Sequence, residues 1–251
     1  MSGKAIQIPD WVGDQKKAFG FFEDFLNFTS TDLWTAVIDV GGTAVDGDAA
    51  GGLLTISGDG TLEDATNVAT TNEIFLVAAN KPIYLETRIK LSEAATDEMQ
   101  VVFGVSDLVT VDLMVDGDAG PATSFDGAVI YKVGGTAGSN PTFWHVGSSN
   151  AATQTKEATD HLAADETWTT LGIQLMPVNS LDFEITYFID PTGGTDLRQM
   201  RPNAANPRTP DIKHSKLIAG MAEMHAVIGI KNGAAAAEVL NVDYFTAWQK
   251  R

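Results

Sequence analysis

Alternating apolar and polar side chains over residues 83–91 predict a half-buried β-strand. Branched apolar residues fill most odd positions of this stretch and polar residues most even ones, and a period of two places each set on its own face of a strand. Residues 99–105 resume the alternation after a small polar connection. An antiparallel hairpin is the shortest way to join two such strands, so we predict that 83–91 and 99–105 pair with each other.

The same pattern recurs in the second half of the chain. Leu171, Ile173 and Leu175 share one face of a strand, a turn follows at 177–180, and residues 181–189 alternate again, which predicts a second hairpin. Glycine-rich residues between 127–133 and 143–146 predict a third. Further strands are predicted at 21–25, 53–57, 74–77, 226–230 and 239–245.

About twelve short strands without a convincing amphipathic helix predict an all-β fold, a two-sheet antiparallel β-sandwich or jelly roll. The chain of 251 residues fits a single domain of this class. We predict an extended N-terminal arm at 1–20 and the β-sandwich domain at 21–251. The arm carries Trp11 and other apolar residues that need cover, so it packs either on its own domain or on a neighbouring subunit.

Residues 191–220 interrupt the strand pattern with several prolines and a cluster of basic residues. Proline is unfavourable inside a sheet and the stretch is too long for an ordinary turn, so we predict a long Pro-rich basic loop. Loops of this kind often carry function.

The formal charge of the chain is −17, which repels phosphate backbones and anionic lipid and argues against nucleic acid and membranes as partners. Residues 1–20 also lack the apolar run of a signal peptide. The arm and the basic loop nevertheless hold 8 of the 16 cations, which would let either dock on an acidic surface; the alternative is a solvated tail and loop. The candidate partner-binding residues are Lys4, Trp11, Lys16, Lys17, Arg198, Arg201, Arg208, Lys213 and Lys216.

No motif for catalysis, a cofactor or a metal emerges. Cysteine is absent and the four histidines are widely spaced, which argues against zinc. The Asp-Gly-Asp triplets at 46–48 and 116–118 lack the additional ligands of a calcium loop, so we interpret them as solvated turns. No glutamate is followed two residues later by aspartate, and Glu86, Glu184 and Glu238 therefore lack a sequence partner for retaining glycoside hydrolysis.

Several stretches carry a family resemblance. They are residues 21–25 with Trp34, 51–54, 85–89 and 240–245. Together they resemble the concanavalin A-like lectin and glucanase sandwich over nearly the whole chain after Gly20. Residues 119–125 and 230–233 are similar to small proteins encoded beside the major capsid protein in tailed bacteriophages, including those of aquatic bacteria.

The resemblance implies a non-enzymatic capsid decoration, or cement, protein. Such a protein binds the major capsid protein on the outside of the head, commonly as a homotrimer, and belongs to the virion assembled in the bacterial host cytoplasm. Two alternatives stay open. One is a carbohydrate-binding, lectin-like module that uses rim aromatics such as Trp144 or Trp168 on surface glycans. The other is a glycoside hydrolase whose carboxylates come from distant strands.

Overall fold

The computed structural model describes residues 9–29, 32–47, 50–135, 140–150, 153–203 and 209–251. Within these ranges the chain forms eighteen strands and one 3-10 turn at Val111–Leu113, and no helix is long and apolar enough to cross a membrane. The strands are β1 (Ala18–Glu23), β2 (Trp34–Ile38), β3 (Thr43–Asp46), β4 (Leu54–Ser57), β5 (Ala65–Thr70), β6 (Ile83–Ser92), β7 (Met99–Ser106), β8 (Met114–Val115), β9 (Gly120–Pro121), β10 (Gly127–Lys132), β11 (Phe143–Asn150), β12 (Thr153–Leu162), β13 (Trp168–Pro177), β14 (Asp182–Asp190), β15 (Arg198–Gln199), β16 (Lys213–Leu217), β17 (His225–Asn232) and β18 (Val239–Lys250).

Two antiparallel sheets pack face to face. The first has nine strands in the order β15-β14-β13-β6-β18-β4-β3, with β1 added to β18 and β16 added to β14. The second has seven strands in the order β12-β11-β10-β7-β17-β5-β2. The predicted all-β, two-sheet sandwich is confirmed.

The main core lies between the sheets. Alternate side chains of β6, including Leu85 and Ile89, point inward and are fully buried, as are Phe103 of β7 and Phe245 of β18. The rings of Phe103 and Phe245 meet edge to face with centroids 5.3 Å apart. Burying a side chain of this size stabilises the fold by about 1.5–3 kcal/mol. The apolar positions of the alternating strands therefore hold the two sheets together.

The predicted pairing of 83–91 with 99–105 is wrong. β6 lies between β13 and β18 in the nine-stranded sheet, whereas β7 lies between β10 and β17 in the seven-stranded sheet. Residues 93–98 therefore cross from one sheet to the other. Alternation identifies a strand with one apolar face. It does not show whether the next strand pairs with it in the same sheet or packs opposite it in the other sheet.

Two of the predicted hairpins are confirmed and one predicted strand is wrong. β13 pairs with β14, and β10 pairs with β11. Residues 74–77 form no strand; Phe75 makes a single bridge to Met224. Phe75 and Val77 are nevertheless buried, so this apolar run fills the core as irregular chain.

A second, smaller core covers the outer face of the seven-stranded sheet. Leu113 and Phe125 of the segment 107–126 pack on Val102, Val129 and Val227 of the sheet. The ends of the segment are tied together, because the Asp126 N–H donates to the Asp107 carboxylate at 2.6 Å and the Asp107 N–H donates to the Asp126 carbonyl at 3.1 Å. The sheet face over β7, β10 and β17 is therefore filled by the chain itself.

The described part of the predicted N-terminal arm packs on its own domain. Trp11 is only 5% exposed and lies with Val12 against Tyr84 and Trp248 on the outer face of the nine-stranded sheet. β1 begins at Ala18, so the last residues of the predicted arm already belong to that sheet. Residues 1–8, which include Lys4, lie outside the described residues.

The predicted basic loop at 191–220 seals one lateral side of the sandwich. It contains β15 and β16, which both pair with β14. It also reaches the edge of the other sheet, where the Asp160 N–H donates to the Arg201 carbonyl at 2.9 Å and the Asn203 N–H donates to the Ala158 carbonyl at 2.9 Å. Residues 204–208, with Arg208, lie outside the described residues.

Candidate functional site

Five exposed cationic side chains gather where β1 begins and β18 ends. Ala18 pairs with Lys250, the Arg251 N–H donates to the Lys17 carbonyl at 2.9 Å, and the Lys250 N–H donates to the Pro82 carbonyl at 3.0 Å. These backbone contacts bring three distant parts of the sequence together. We call the set the basic corner: Lys16, Lys17, Lys81, Lys250 and Arg251.

The basic corner rests on a fixed support. Residues 9–17 form consecutive turns, in which the Val12 N–H donates to the Pro9 carbonyl and the Lys17 N–H to the Asp14 carbonyl. Between these turns Trp11 is buried against Tyr84 and Trp248. A buried indole contributes a large apolar area, so Trp11 is an anchor that positions the lysines and does not itself present a contact surface.

The cations of the basic corner are poorly neutralised. Lys17 Nζ lies 3.5 Å from an Asp10 carboxylate oxygen and 3.6 Å from one of Asp14. In the described part of the chain it is the one member of the corner with an ion pair shorter than 4 Å. Exposed pairs of this type contribute about 0–1 kcal/mol, so they are easily exchanged for charges on another molecule.

The sequence that follows the lysines before β1 has the opposite sign. Between Lys17 and Lys81 the sequence contains ten acidic residues and no Lys or Arg. The formal charge of −17 is therefore unevenly distributed, with a small positive corner on an acidic body. Such a distribution orients a molecule as it approaches a charged partner.

A second candidate site is a cavity of about 370 Å³ beside the basic loop. It opens between the end of β12, the end of β14 and residues 196–201, and we call it the loop pocket. Its lining residues are Asp160, His161, Ile189, Asp190, Pro191, Thr192, Asp196, Arg198, Gln199 and Arg201. The volume lies within the range of small-molecule sites.

The loop pocket combines cations and carboxylates that are already engaged. Arg198 donates to Asp196, and Asp190 accepts the Thr192 N–H at 2.9 Å and the Asp196 N–H at 3.0 Å. Burial alone would raise the pKa of Asp190, but the hydrogen bonds from Thr192 and Asp196 outweigh it and the pKa is lowered. Burial, aided by the nearby Arg201, lowers the pKa of His161, and Asp160 opposes that shift.

The remaining predicted residues of the basic loop lie apart from the loop pocket. Lys213 is exposed and pairs with Glu184 at 2.6 Å. Lys216 is only 8% exposed, and its Nζ donates to the Thr153 carbonyl at 2.7 Å and to Thr155 Oγ1 at 3.0 Å. Burial lowers the pKa of Lys216. Lys216 therefore holds β16 against β12.

The structure does not bring the predicted partner-binding residues into one surface. Lys16 and Lys17 lie beside β1, whereas Arg198 lies on β15, five strand spacings away in the same sheet. At about 4.8 Å per spacing this is about 24 Å. Sequence reasoning missed Lys81, Lys250 and Arg251, because only the pairing of β1 with β18 and the contact of β18 with residue 82 bring them beside Lys17.

The glutamates considered for hydrolysis all have structural partners. Glu86 accepts hydrogen bonds from the hydroxyls of Tyr84 and Tyr244, and burial together with the Glu86 charge raises the pKa of both tyrosines. Glu238 accepts the Ala94 N–H at 2.7 Å, and Glu184 pairs with Lys213. Their oxygens are occupied in holding loops and side chains.

The histidines and aspartates considered as metal ligands also have other partners. His145 stacks on Tyr131, and His214 is buried with its Nδ1 2.8 Å from Ser148 Oγ and 3.1 Å from the Tyr187 hydroxyl. Asp116 pairs with Lys231. Across the described ranges, no three His, Asp or Glu side chains come together as a group that could hold a metal ion.

The rim tryptophans proposed for sugar stacking are mostly covered. Trp144 is fully buried in the main core. Trp168 lies at the sheet surface with the Arg88 guanidinium 4.6 Å above its ring centroid. Arg88 also pairs with Asp243 at 2.9 Å, so one face of the Trp168 ring is occupied by a cation–π contact.

No protein-family model matches the chain, and no curated protein sequence matches it. Several solved structures, however, are similar to it in fold. Lectin UEA-II complexed with galactose has a TM-score of 0.59 and 11% identity, covering 94% of this chain and 100% of the lectin. Peanut lectin with a nine-residue peptide has a TM-score of 0.56 and 8% identity, covering 93% and 97%. The endo-1,3-β-glucanase of Streptomyces sioyaensis has a TM-score of 0.53 and 11% identity, covering 98% and 99%.

These likenesses extend over almost the entire chain at very low identity. They include lectins and a glucanase, so they establish architecture and leave chemistry to the residues of this chain. The strand order, the two-layer core and the structural neighbours agree: the chain has the concanavalin A-like lectin fold.

Proposed function

We propose that this chain is a non-enzymatic bacteriophage virion structural protein that decorates and stabilises the outside of the capsid by binding the major capsid protein. The observation that carries the proposal is the basic corner, an exposed and rigidly supported cationic surface on a strongly acidic protein. The resemblance of residues 119–125 and 230–233 to capsid decoration proteins supplies the identity of the partner.

Adhesion fits the molecule better than catalysis. The segment 107–126 fills the outer face of the seven-stranded sheet, which removes a broad surface on which a long polymer would lie. Glu86, Glu184 and Glu238 are held by hydrogen bonds or an ion pair within the domain. Retaining hydrolysis needs two carboxyl groups about 5–5.5 Å apart and free to exchange protons.

A repeated lattice also compensates for a weak single contact. The members of the basic corner are exposed, and each exposed charge pair adds little on its own. When several copies are linked, later contacts form at high effective concentration. We therefore propose a homotrimer bound to the virion surface after assembly in the host cytoplasm, and sedimentation of the purified protein tests this stoichiometry.

The basic corner is tested with two variants that remove the same charge. K16Q/K250Q neutralises the corner, and R198Q/K213Q neutralises two exposed cations at the opposite edge of the sheet. The probe is a capsid of the phage that carries this gene, freed of the protein and titrated with each variant. We expect at least tenfold weaker binding for K16Q/K250Q and less than twofold for R198Q/K213Q.

Equal losses in both variants would show a response to net charge alone and would overturn the role of the corner. Mass analysis of purified virions provides an independent test of the capsid assignment. Absence of this chain from virions that contain the neighbouring major capsid protein would overturn it.

A second candidate function is carbohydrate binding in the loop pocket, and the pocket lining favours it. Guanidinium groups of Arg198 and Arg201 can donate to sugar hydroxyls, carboxylates can accept from them, and Pro191 provides an apolar contact. Carboxylates and cations are both present, which favours a neutral polyol over an ion. Lectin UEA-II, of the same fold, is complexed with galactose.

Glycan-array binding followed by titration with the best ligand tests this candidate. We expect R201Q to weaken binding at least tenfold and K16Q/K250Q to leave it unchanged. Incubation with laminarin in the same experiment distinguishes binding from hydrolysis, because released reducing ends would require a catalytic site. Binding that persists in R201Q would place the sugar elsewhere on the molecule.

A further inference from the structure

The two lateral sides of the sandwich are finished in different ways. On the side of β12 and β16, residues 201–203 bond to the outer edge of β12, and Asn150 Nδ2 donates to the Leu217 carbonyl at 2.6 Å. We call this the closed side. On the other side, β1 pairs only with β18, β2 only with β5 and β3 only with β4 within the described residues. We call the strands β1, β2 and β3 the open side.

The open side lacks the usual protection of a sheet edge. Natural edge strands are blunted by lysine, proline, bulges or a covering loop, because an unpaired edge is a template for another strand. β1 has the sequence Ala-Phe-Gly-Phe-Phe-Glu, with no proline and no cation. Phe22 on β1 is 61% exposed and its ring stacks on Tyr244 at a centroid distance of 5.6 Å.

Further apolar side chains are exposed on the open side. Leu26, Ile38 and Val45 are all exposed and follow β1 or lie on β2 and β3. An exposed apolar edge of this kind is typical of a surface that another protein covers. Phe22 therefore presents an exposed aromatic ring on β1, supported by Tyr244 of β18.

The charge of the open side defines the occupant. Away from the basic corner, which lies at the start of β1, the three strands carry acidic residues and no Lys or Arg. Glu23 ends β1 and Asp46 ends β3, with Asp39 exposed after β2. A strand added here gains if its side chains are positive and loses if they are negative, since opposite charges on adjacent strands stabilise and like charges destabilise.

A second copy of this chain is a weaker occupant. Antiparallel pairing of β1 with β1 would place Glu23 of each copy near Lys17 of the other. Each copy, however, carries a net charge of −17, which opposes the approach of two copies.

We propose that the open side docks an extended, Lys- or Arg-bearing segment of a partner protein, which adds to β1 as an extra strand of the nine-stranded sheet. Backbone hydrogen bonds to the free edge of β1 supply the pairing, as in other cases of strand addition. Phe22 receives an apolar side chain of the incoming strand, and the carboxylates near the end of β1 select for cations.

The test uses a fluorescein-labelled nine-residue peptide of alternating Lys and Val, titrated with the full chain and followed by fluorescence anisotropy. We expect saturable binding. A peptide with Glu in place of Lys should bind at least tenfold more weakly. A Lys–Val peptide with N-methyl groups at alternate residues, which cannot pair along that edge, should also bind at least tenfold more weakly.

Two matched protein variants locate the site. F22K places a lysine on the open edge, and L217K places one on the closed side at a position that is 58% exposed. We expect F22K to reduce peptide affinity at least tenfold and L217K less than twofold. Both positions are exposed, so we expect the far-ultraviolet circular dichroism spectrum of each variant to match that of the wild type. A difference in peptide affinity would then not result from unfolding.

Three results would overturn the proposal. Equal binding of the N-methylated peptide would mean that the contact is ionic only. Equal loss in F22K and L217K would mean that the peptide binds elsewhere or by net charge. A concentration-dependent dimer that F22K abolishes would make a second copy the occupant. None of these results depends on the basic corner, so this inference and the capsid proposal can fail separately.

Discussion

The closed and open sides are two solutions to the same problem of ending a sheet. The closed side is joined by polar contacts: His214 with Ser148 and Tyr187, and Lys216 with Thr153. The open side is joined inside by aromatic packing, with the Trp34 ring 5.2 Å from Phe21. No described strand pairs with the outer edges of β1, β2 and β3. The stability of the closed side therefore depends on pH and on hydrogen bonds, whereas the stability of the open side depends on the packing of aromatic rings.

The largest expected effect comes from the aromatic cluster behind the open side. Trp34 is buried and contacts the rings of Phe21, Phe25 and Phe245 at centroid distances of 5.2–5.9 Å. Replacing it by alanine leaves a cavity that the two sheets cannot close. We expect W34A to lower the free energy of unfolding by about 3–5 kcal/mol, measured by urea denaturation. A loss below about 1 kcal/mol would mean that the cluster contributes little.

The next effect is a pH dependence of the closed side. Burial, followed by the nearby Lys216 charge, lowers the pKa of His214 to about 4. In the unfolded chain its pKa is about 6.5, so the unfolded state binds more protons between these values. Stability from this group is complete above pH 6.5 and is lost as pH falls towards 4, by up to about 3 kcal/mol.

The measurement is urea denaturation at pH 7 and pH 4.5 for the wild type and for H214Q. Carboxylates elsewhere titrate in both proteins, so the difference between the two pH profiles isolates His214. We expect a shallower decline in H214Q. Parallel profiles would show that the imidazole is protonated as readily in the folded as in the unfolded chain, with Glu157, 3.9 Å from its Nε2, stabilising the charged form.

A smaller effect is expected where Lys216 joins β16 to β12. K216M keeps the aliphatic stem and removes the bonds to the Thr153 carbonyl and Thr155. A carbonyl that loses its donor costs about 1–3 kcal/mol if it stays buried. We therefore expect a loss of about 1–2 kcal/mol in urea denaturation. K213M is the matched control, because Lys213 is exposed and its loss should fall within about 0.5 kcal/mol.

The smallest effect sharpens the comparison most directly. F22K changes an exposed side chain on the outer edge of β1, so its free energy of unfolding should remain within about 0.5 kcal/mol of wild type. Loss of peptide binding with retained stability would assign the edge to docking. A loss of several kcal/mol would instead assign Phe22 to the architecture of the sheet.

Sequence reasoning succeeded where a structural feature is local. β13 and β14 are joined by a short turn and alternate in register, so their pairing could be predicted from neighbouring residues. The pairing of 83–91 with 99–105 could not, because residues 93–98 suit either a turn or a crossing between sheets. Alternation shows which face of a strand is buried, but the strand with which it pairs depends on the topology of the whole fold.

The candidate sites follow the same rule. Lys16 and Lys17 are conspicuous in the sequence, but their companions Lys81, Lys250 and Arg251 come from distant strands. Trp11 was predicted to need cover, and the structure places that cover on its own sheet. Lys216 belongs to a basic run in the sequence, yet it is buried, because only the approach of β12 provides acceptors for its ammonium group.

The segment 107–126 has a consequence for the evolution of this architecture. Its two ends meet at Asp107 and Asp126, so its length can change without moving any strand of the two main sheets. Shortening it would expose a groove whose floor is formed by Val102, Val129 and Val227. Lengthening it would add to the chain that covers this face of the sheet. Insertions and deletions at one point in the gene can thereby convert a filled surface into a receptor, or the reverse, while the scaffold stays the same.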